Sequence, residues 1–235
     1  MRWAPYVCVI ERWKVQMARL LVLAMPFLAG QAAAQVTQDA ASLKASFVRL
    51  GASMATQKLT DWIVRSADHQ DLPFAVIDKR DARVFVFNRH GRLLGSAPVL
   101  LGSAIGDEGV AGLGDRPLAQ ISPEERTTPA GRFLAELDQN LSGKTILWVD
   151  YSQAISMHPV RSTHPSERRL ERLASPSAQD NRISYGCINV PAVFWRSVIL
   201  PTFRGTPGLV YVMPENRSLE SVFVGVQAQK EAAAK

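Results

Sequence analysis

The spacing of hydrophobic residues along this chain changes at Phe74. Before it, in SLKASFVRLGASMATQKLTDWIVRSA, apolar residues recur at helical intervals. Leu43, Phe47, Leu50 and Met54 share one face, so residues 35–71 read as a helical leader with a docking face. From Phe74 the pattern alternates in twos. FAVIDKRDARVFVFNRHGRLLGSAPVLLGS, broken at DKRD and NRHG, predicts strand, turn, strand, turn, strand. His90 falls in the second turn, before Gly91, a position for a surface residue.

A long stretch rich in Gly and Pro follows, GSAIGDEGVAGLGDRPLAQISPEERTTPAGRF. It matches neither a Walker loop nor the dinucleotide fingerprint, so a phosphate cradle is rejected. Loops this long in compact domains are usually functional or mobile. Strand character returns in TILWVDYSQAISMHPV, which ends at His158. The polar run RSTHPSERRLERLASPSAQDNRI contains a short helical segment in PSERRLERLA. VPAVFWRSVILPTF reads as a helix with Pro191 at its first position, and GLVYVM, 208–213, as a last strand. No internal repeat is present. The expected fold is mainly β with short helices.

The first residues change the organisation. A basic segment to Arg19, the apolar run LLVLAMPFLAG and the small residues QAAAQ follow the order of a secretory signal peptide, with Ala32 and Ala34 where a peptidase reads. The apolar run is too short to span a bilayer, which takes about 20 residues. Met17 opens a shorter version of the same leader. The expected organisation is a signal peptide over 1–34, a leader over 35–71, a main domain over 72–214 and a tail over 215–235 ending in EAAAK, a common helical spacer unit. The destination is the periplasm or cell envelope, with no stable membrane insertion after cleavage. Cleavage after Ala34 removes four of 27 basic residues and one of 21 acidic ones, leaving an excess of three positive charges. That mild excess, with no basic stripe interleaved with aromatics, does not argue for nucleic acid.

Cleavage also leaves one cysteine, Cys187, in SYGCINVP. It is either a small buried apolar residue or a reactive thiol. A thiol becomes a nucleophile when a base or a positive field favours its thiolate. A helix starting near Pro191 offers its positive end. A base must be a histidine. His69 and His90 have weak claims. His158 closes the strand AISMH, where alternation puts Ser156 and His158 on one side and Ile155 and Met157 on the other. His164 lies in the following loop. The strand end holds a base more firmly, and both candidates stay open.

TTPAGRF at 127–133, a histidine closing a strand and a Ser-x-Gly-Cys-hydrophobic-Asn block together resemble the L,D-transpeptidase (YkuD-type) catalytic domain, over about 74–213. The resemblance implies a β-sandwich-like fold, with Cys187 as nucleophile and His158, oriented by a backbone carbonyl, as base. It implies an oxyanion hole of backbone N–H groups around Tyr185, Gly186 and Cys187, with Ser184 and Asn189 bracing the loop. No metal or organic cofactor is implied. The partners are peptidoglycan stem peptides: Cys187 forms a thioester on a tetrapeptide stem, which an amine, a D-amino acid or water resolves. The same site on a carboxypeptidase or endopeptidase, and a non-catalytic wall-binding module, are the alternatives. A redox thiol lacks a CxxC partner.

Two departures stand out. Tyr185 occupies the place of the family's usual second histidine. The 29 residues from His158 to Cys187 exceed the usual spacing, and His164 shortens the gap to 23. The inserted segment's Arg161, Arg168, Arg169 and Arg172, and Arg182 after it, are candidates to meet substrate carboxylates or to form a salt-bridged face.

Overall fold

A computed structural model describes residues 50–226. The expected signal peptide, residues 35–49 with Leu43 and Phe47, and the EAAAK end lie outside the described residues.

Eight strands form one mixed sheet in the order β3-β2-β1-β10-β5-β6-β7-β9. They are β1 (Phe74–Asp78), β2 (Arg83–Phe87), β3 (Leu93–Pro98), β5 (Gly131–Gln139), β6 (Thr145–Asp150), β7 (Ile155–Pro159), β9 (Ile188–Val190) and β10 (Gly208–Val212). Short β4 (Leu101–Gly102) and β8 (Arg182–Ser184) pair in parallel beside it. Strand β5 belongs to both halves: Gly131 to Ala135 pair with β10, and Glu136 to Gln139 pair with β6. Both halves feed one buried cluster, in which Ile77, Val84 and Val210 join Leu147, Met157 and Ile188. The fold is therefore mainly β with short helices, its two halves wrapping one core as a continuous sheet. The sequence gives little sign of β5 because its exposed positions include Leu134, while only Ala135 is fully enclosed.

Strands β1 and β10 are buried at every position. Alternation sorts them into two apolar faces instead of one apolar and one polar. Ala75, Ile77, Val210 and Val212 face the main core. Phe74, Phe87 and Tyr211 form a second layer: Phe74 stacks on Phe87 at 4.6 Å and meets Tyr211 edge-on at 6.0 Å. Helix α1 (Met54–Arg65) supplies the buried Leu59, Trp62 and Ile63, and Trp62 lies against Phe223.

The buried stripe of α1 runs through Thr56, Leu59, Thr60 and Ile63, whereas Met54 is 87% exposed. Of the sequence-predicted face, Leu43 and Phe47 lie outside the described residues, Leu50 lies in a turn before the helix and Met54 is exposed; the buried stripe of α1 includes two threonines. Thr56 tolerates burial by donating to Asp78 Oδ2 at 2.7 Å. The same carboxylate oxygen accepts from Ser53 Oγ at 2.6 Å, and Ser53 caps the helix through the Thr56 N–H. The helix is thus fastened to the end of β1, and a boundary at residue 72 would divide it from the sheet it covers.

The helix expected after Pro191 is broken into α3 (Ala192–Phe194), a π turn (Trp195–Ile199) and α4 (Leu200–Phe203). Pro191 itself is extended, at φ −54° and ψ 137°, and caps the helix instead of opening it. Pro201 has no N–H to give the carbonyl of Ser197, which fits a widened turn just before it.

Beneath the site lies a charged cluster. Lys79, fully enclosed, donates to Asp107 Oδ1 at 2.8 Å and to the carbonyls of Thr128, at 2.9 Å, and Gly106. Glu215 lies 3.4 Å from the same ammonium and pairs with Arg182. Asp107 also accepts the backbone N–H groups of Glu215, Asn216 and Arg217. Burial raises the Asp107 carboxyl, but Lys79 and the N–H groups of Glu215 and Arg217 outweigh it and hold it down to about 2. Because the folded value is depressed, its contribution is whole above the ordinary value of 3.8 and is lost as pH falls through about 2. Asp107→Asn should cost about 3–5 kcal/mol in a neutral-pH denaturant titration, since Lys79 keeps its charge with a weakened partner. The same variant should lose the acid sensitivity expected of the wild type between about pH 4 and pH 2.

Candidate functional site

Parallel pairing of β7 with β9 sets His158 opposite Asn189 and Met157 opposite Ile188. Cys187 precedes β9 by one residue, at the strand end nearest β7's start. It is half-buried. Its Sγ lies 3.5 Å from Ser156 Oγ and donates at 3.5 Å to the Ala154 carbonyl. His158 and Ser156 share one side of β7, as alternation predicts.

The imidazole is held from behind. His158 Nδ1 lies 2.9 Å from the Pro159 carbonyl, which only accepts, so Nδ1 carries the proton and Nε2 is left as an acceptor. Burial pushes the Cys187 thiol up. The hydrogen bond and charge of His158, and then the hydrogen bonds of Ser156, outweigh it, so the thiol ends below its ordinary value. His158 and Ser156 thus do what the sequence assigned partly to a helix end. A proton can pass from sulfur to Nε2, leaving a thiolate, which is what a cysteine nucleophile requires.

The loop before the sulfur is fixed at each residue. Ser184 Oγ donates to the Cys187 carbonyl at 2.7 Å and accepts the Gly186 N–H at 3.0 Å. The Gly186 carbonyl accepts from Thr128 Oγ1 at 2.8 Å, and that oxygen also takes the Gly102 N–H at 2.9 Å. The TTPAG segment therefore acts as a brace for the cysteine loop. Thr128 and Ser156 are the site residues that sequence reasoning missed. Thr128 lay inside the quoted motif, and Ser156 lay on the face assigned to His158.

The N–H of Gly186 is turned onto Ser184, so the expected oxyanion donors narrow to Tyr185 and Cys187. Their N–H groups donate to no described residue. The guanidinium of Arg126 lies 4.1 Å over the Tyr185 ring and is anchored to the Ile121 carbonyl. The long Gly/Pro loop thereby reaches the cysteine's neighbour.

Other expected residues are placed elsewhere. Arg182 is committed to Glu215 and the Lys79 carbonyl. His164 is exposed and stands at the start of a 3-10 turn, Pro165–Glu167. Arg161 is half-exposed, with no ion pair among the described residues. Arg168 pairs with Glu171, and Arg172 donates to the carbonyls of Glu167 and Asp180, so this part of the insert is a salt-bridged face. Arg169 pairs with Glu167 and reaches Asn189. Among the described residues no group of three or more His, Cys, Asp or Glu could hold a metal ion, and no helix is long and apolar enough to cross a membrane.

No family model and no curated protein matches the chain. Among solved structures it is similar to the LD transpeptidase LdtMt1 in complex with imipenem, at 17% identity over 60% of this chain and 58% of that one, with a TM-score of 0.33. It is also similar to the helical cell shape determining protein Pgp2 of Campylobacter jejuni, at 13% identity over 62% and 49%, with a TM-score of 0.41. An L,D-transpeptidase of Stackebrandtia nassauensis aligns at 15% identity over 75% and 78%, with a TM-score of 0.35. The chain spans less than two thirds of the first two proteins. At these identities and scores the likeness is partial.

Gly186 provides a direct check on the loop. Its φ is +124°, and an added Cβ would stand 2.6 Å from Ile155 Cδ1 and 2.7 Å from the Thr127 carbonyl oxygen. Gly186→Ala should cost about 1–3 kcal/mol in a denaturant titration and slow alkylation of Cys187 by iodoacetamide. Gly205→Ala, at φ +75° with nothing within 4 Å, should cost less and leave alkylation unchanged.

Proposed function

We propose that the protein is an exported L,D-transpeptidase that uses Cys187 and His158 to exchange the acyl partner of peptidoglycan tetrapeptide stems. One observation carries the reading. The Cys187 thiol is held below its ordinary value by a histidine whose Nδ1–H is tied to a backbone carbonyl. The sequence resemblance supplies the substrate class.

In this reading His158 Nε2 takes the thiol proton as sulfur attacks the carbonyl before the terminal D-Ala. The carbonyl π electrons move to oxygen, and the oxyanion meets the N–H groups of Tyr185 and Cys187. When the tetrahedral intermediate collapses, the C–N bond breaks and the leaving amine takes its proton from His158. A thioester remains. An acceptor amine then attacks it, His158 receives the amine's proton, and the thiolate leaves and regains a proton. Ser184 and Thr128 hold the loop through both halves. Tyr185, under Arg126, stands where a second histidine would titrate, so one imidazole serves both halves.

Protein from residue 35 onward and its Cys187→Ala variant would be incubated with tetrapeptide-stem muropeptides and a D-amino acid, with products read by mass spectrometry. Dimers or exchanged stems are expected, and they should be absent with the variant. Tripeptides alone would make it a carboxypeptidase, smaller linked products an endopeptidase, and no change with either protein a wall-binding module. His158→Ala should abolish Cys187 acylation, lowering the rate at least about 100-fold. His164→Ala should leave most of it, and the reverse result would move the base into the insert.

A further inference from the structure

Beside the cysteine loop stands a guanidinium that the proposed chemistry leaves without a task. Arg126 ends the 3-10 turn Pro123–Glu125 and leads into the Thr127–Thr128 brace. Its carbonyl accepts the Ala104 N–H at 3.1 Å, so its backbone belongs to the frame that holds Gly186. Its side chain is half-buried and held on two sides. Nε and Nη2 donate to the Ile121 carbonyl at 3.3 and 3.0 Å, and the central carbon lies 4.1 Å from the centre of the Tyr185 ring.

A guanidinium carries five N–H donors. Ile121 takes one from Nε and one from Nη2. The other hydrogen of Nη2 and those of Nη1 make a second fork, and no described residue accepts from it. Its acidic neighbours do not fill it: Glu125 pairs with Arg116, and Glu124 is exposed. Other half-buried guanidinium groups close to the loop have carboxylates. Arg182 pairs with Glu215, and Arg169, which opens helix α2 (Arg169–Ala174), pairs with Glu167.

A charged fork fixed in advance and left unpaired fits a carboxylate, which accepts two parallel N–H bonds. Its place selects which carboxylate. Tyr185 carries both the ring beneath Arg126 and the N–H assigned to the oxyanion. A carboxylate on the fork therefore belongs to the residue next to the attacked carbonyl. In a tetrapeptide stem that residue is the terminal D-Ala, whose carboxylate is free.

We propose that Arg126, propped on Tyr185, is a specificity-determining residue that binds the terminal carboxylate of the acyl donor. The proposal rests on the reading of Cys187 as a nucleophile on tetrapeptide stems. A D-amino acid entering in exchange is chemically the kind of group that left, so its carboxylate takes the same fork and brings its amine to the thioester.

The test measures binding by calorimetry to Cys187→Ala protein from residue 35 onward, which lacks the proposed nucleophile. The probes are a tetrapeptide stem with a free terminal carboxylate, the same stem with a terminal carboxamide, and one with the carboxylate of its diamino acid amidated instead. The free acid should bind roughly tenfold or more tighter than the terminal amide. The third stem should bind like the first. Arg126→Met should abolish the preference and leave the affinity for the terminal amide nearly unchanged. Equal binding of free acid and terminal amide would overturn the proposal. So would a preference that survives Arg126→Met, or one that follows the carboxylate of the diamino acid. An equal loss for every stem would also overturn it, because Arg126 would then only prop Tyr185. Should Arg126→Met fail to fold, Arg126→Lys keeps a charge but not the fork and should narrow the preference; a preference kept whole would count against the fork. Failure of the underlying reading shows separately: the preference would stand, yet mass spectrometry would find no acyl group on Cys187 of the wild type.

Discussion

Two parallel strands cannot be joined by a tight turn; the chain between them must leave the sheet and return to the same end. For β7 and β9 that requirement brings a histidine on one strand and a cysteine just before the other, 29 residues apart, to the same end of the sheet. The register sets Asn189 beside His158 and leaves Cys187 just before the strand, next to Ser156. Every other feature of the site secures this pairing. Ser184 and Thr128 hold the loop, Pro159 holds the imidazole, and Lys79 holds the carbonyl of Thr128 from below.

The connection is itself structured. It carries α2 and β8, and β8 pairs with β4, which places Ser184 beside Ser103 through a backbone bond of 2.9 Å. The segment is the crossover that a parallel pair needs, and it is longer than the dozen or so residues that such a connection takes at least. Its arginines face mostly their own glutamates and carbonyls, and one of them reaches the site.

Much of the chemistry was legible because it depends on residue type and on strand alternation. Period two placed Ser156 and His158 together, and the Ser-Tyr-Gly-Cys block marked the loop. Three things could not be read. The direction of the Gly186 N–H depends on a peptide orientation that no residue type dictates. The commitment of Arg182 depends on Glu215, 33 residues away. The help that Ser156 gives His158 in acidifying the thiol depends on which side chains approach the sulfur in space. For the fold, β1, β2, β6, β7 and β10 announced themselves through β-branched and aromatic runs. Strand β5 did not, because its partners on both sides supply the order that its own sequence lacks. The phase of α1 was hidden by Thr56 and Thr60, polar by type but placed on the buried stripe.

The aromatic layer under α1 carries a consequence for where this protein can be cut. Phe74, Phe87 and Tyr211 are covered from outside by Leu59, Trp62 and Ile63, and from the C-terminal side by Phe223. A piece trimmed to the strands and the cysteine loop, 72–214, would present those rings to water as one apolar wall, and such walls drive association. Keeping that layer covered takes the chain from Ser53, whose hydroxyl both caps α1 and ties it to Asp78, to beyond Phe223. The ends that carry no chemistry are thus what keeps the middle's apolar wall out of water.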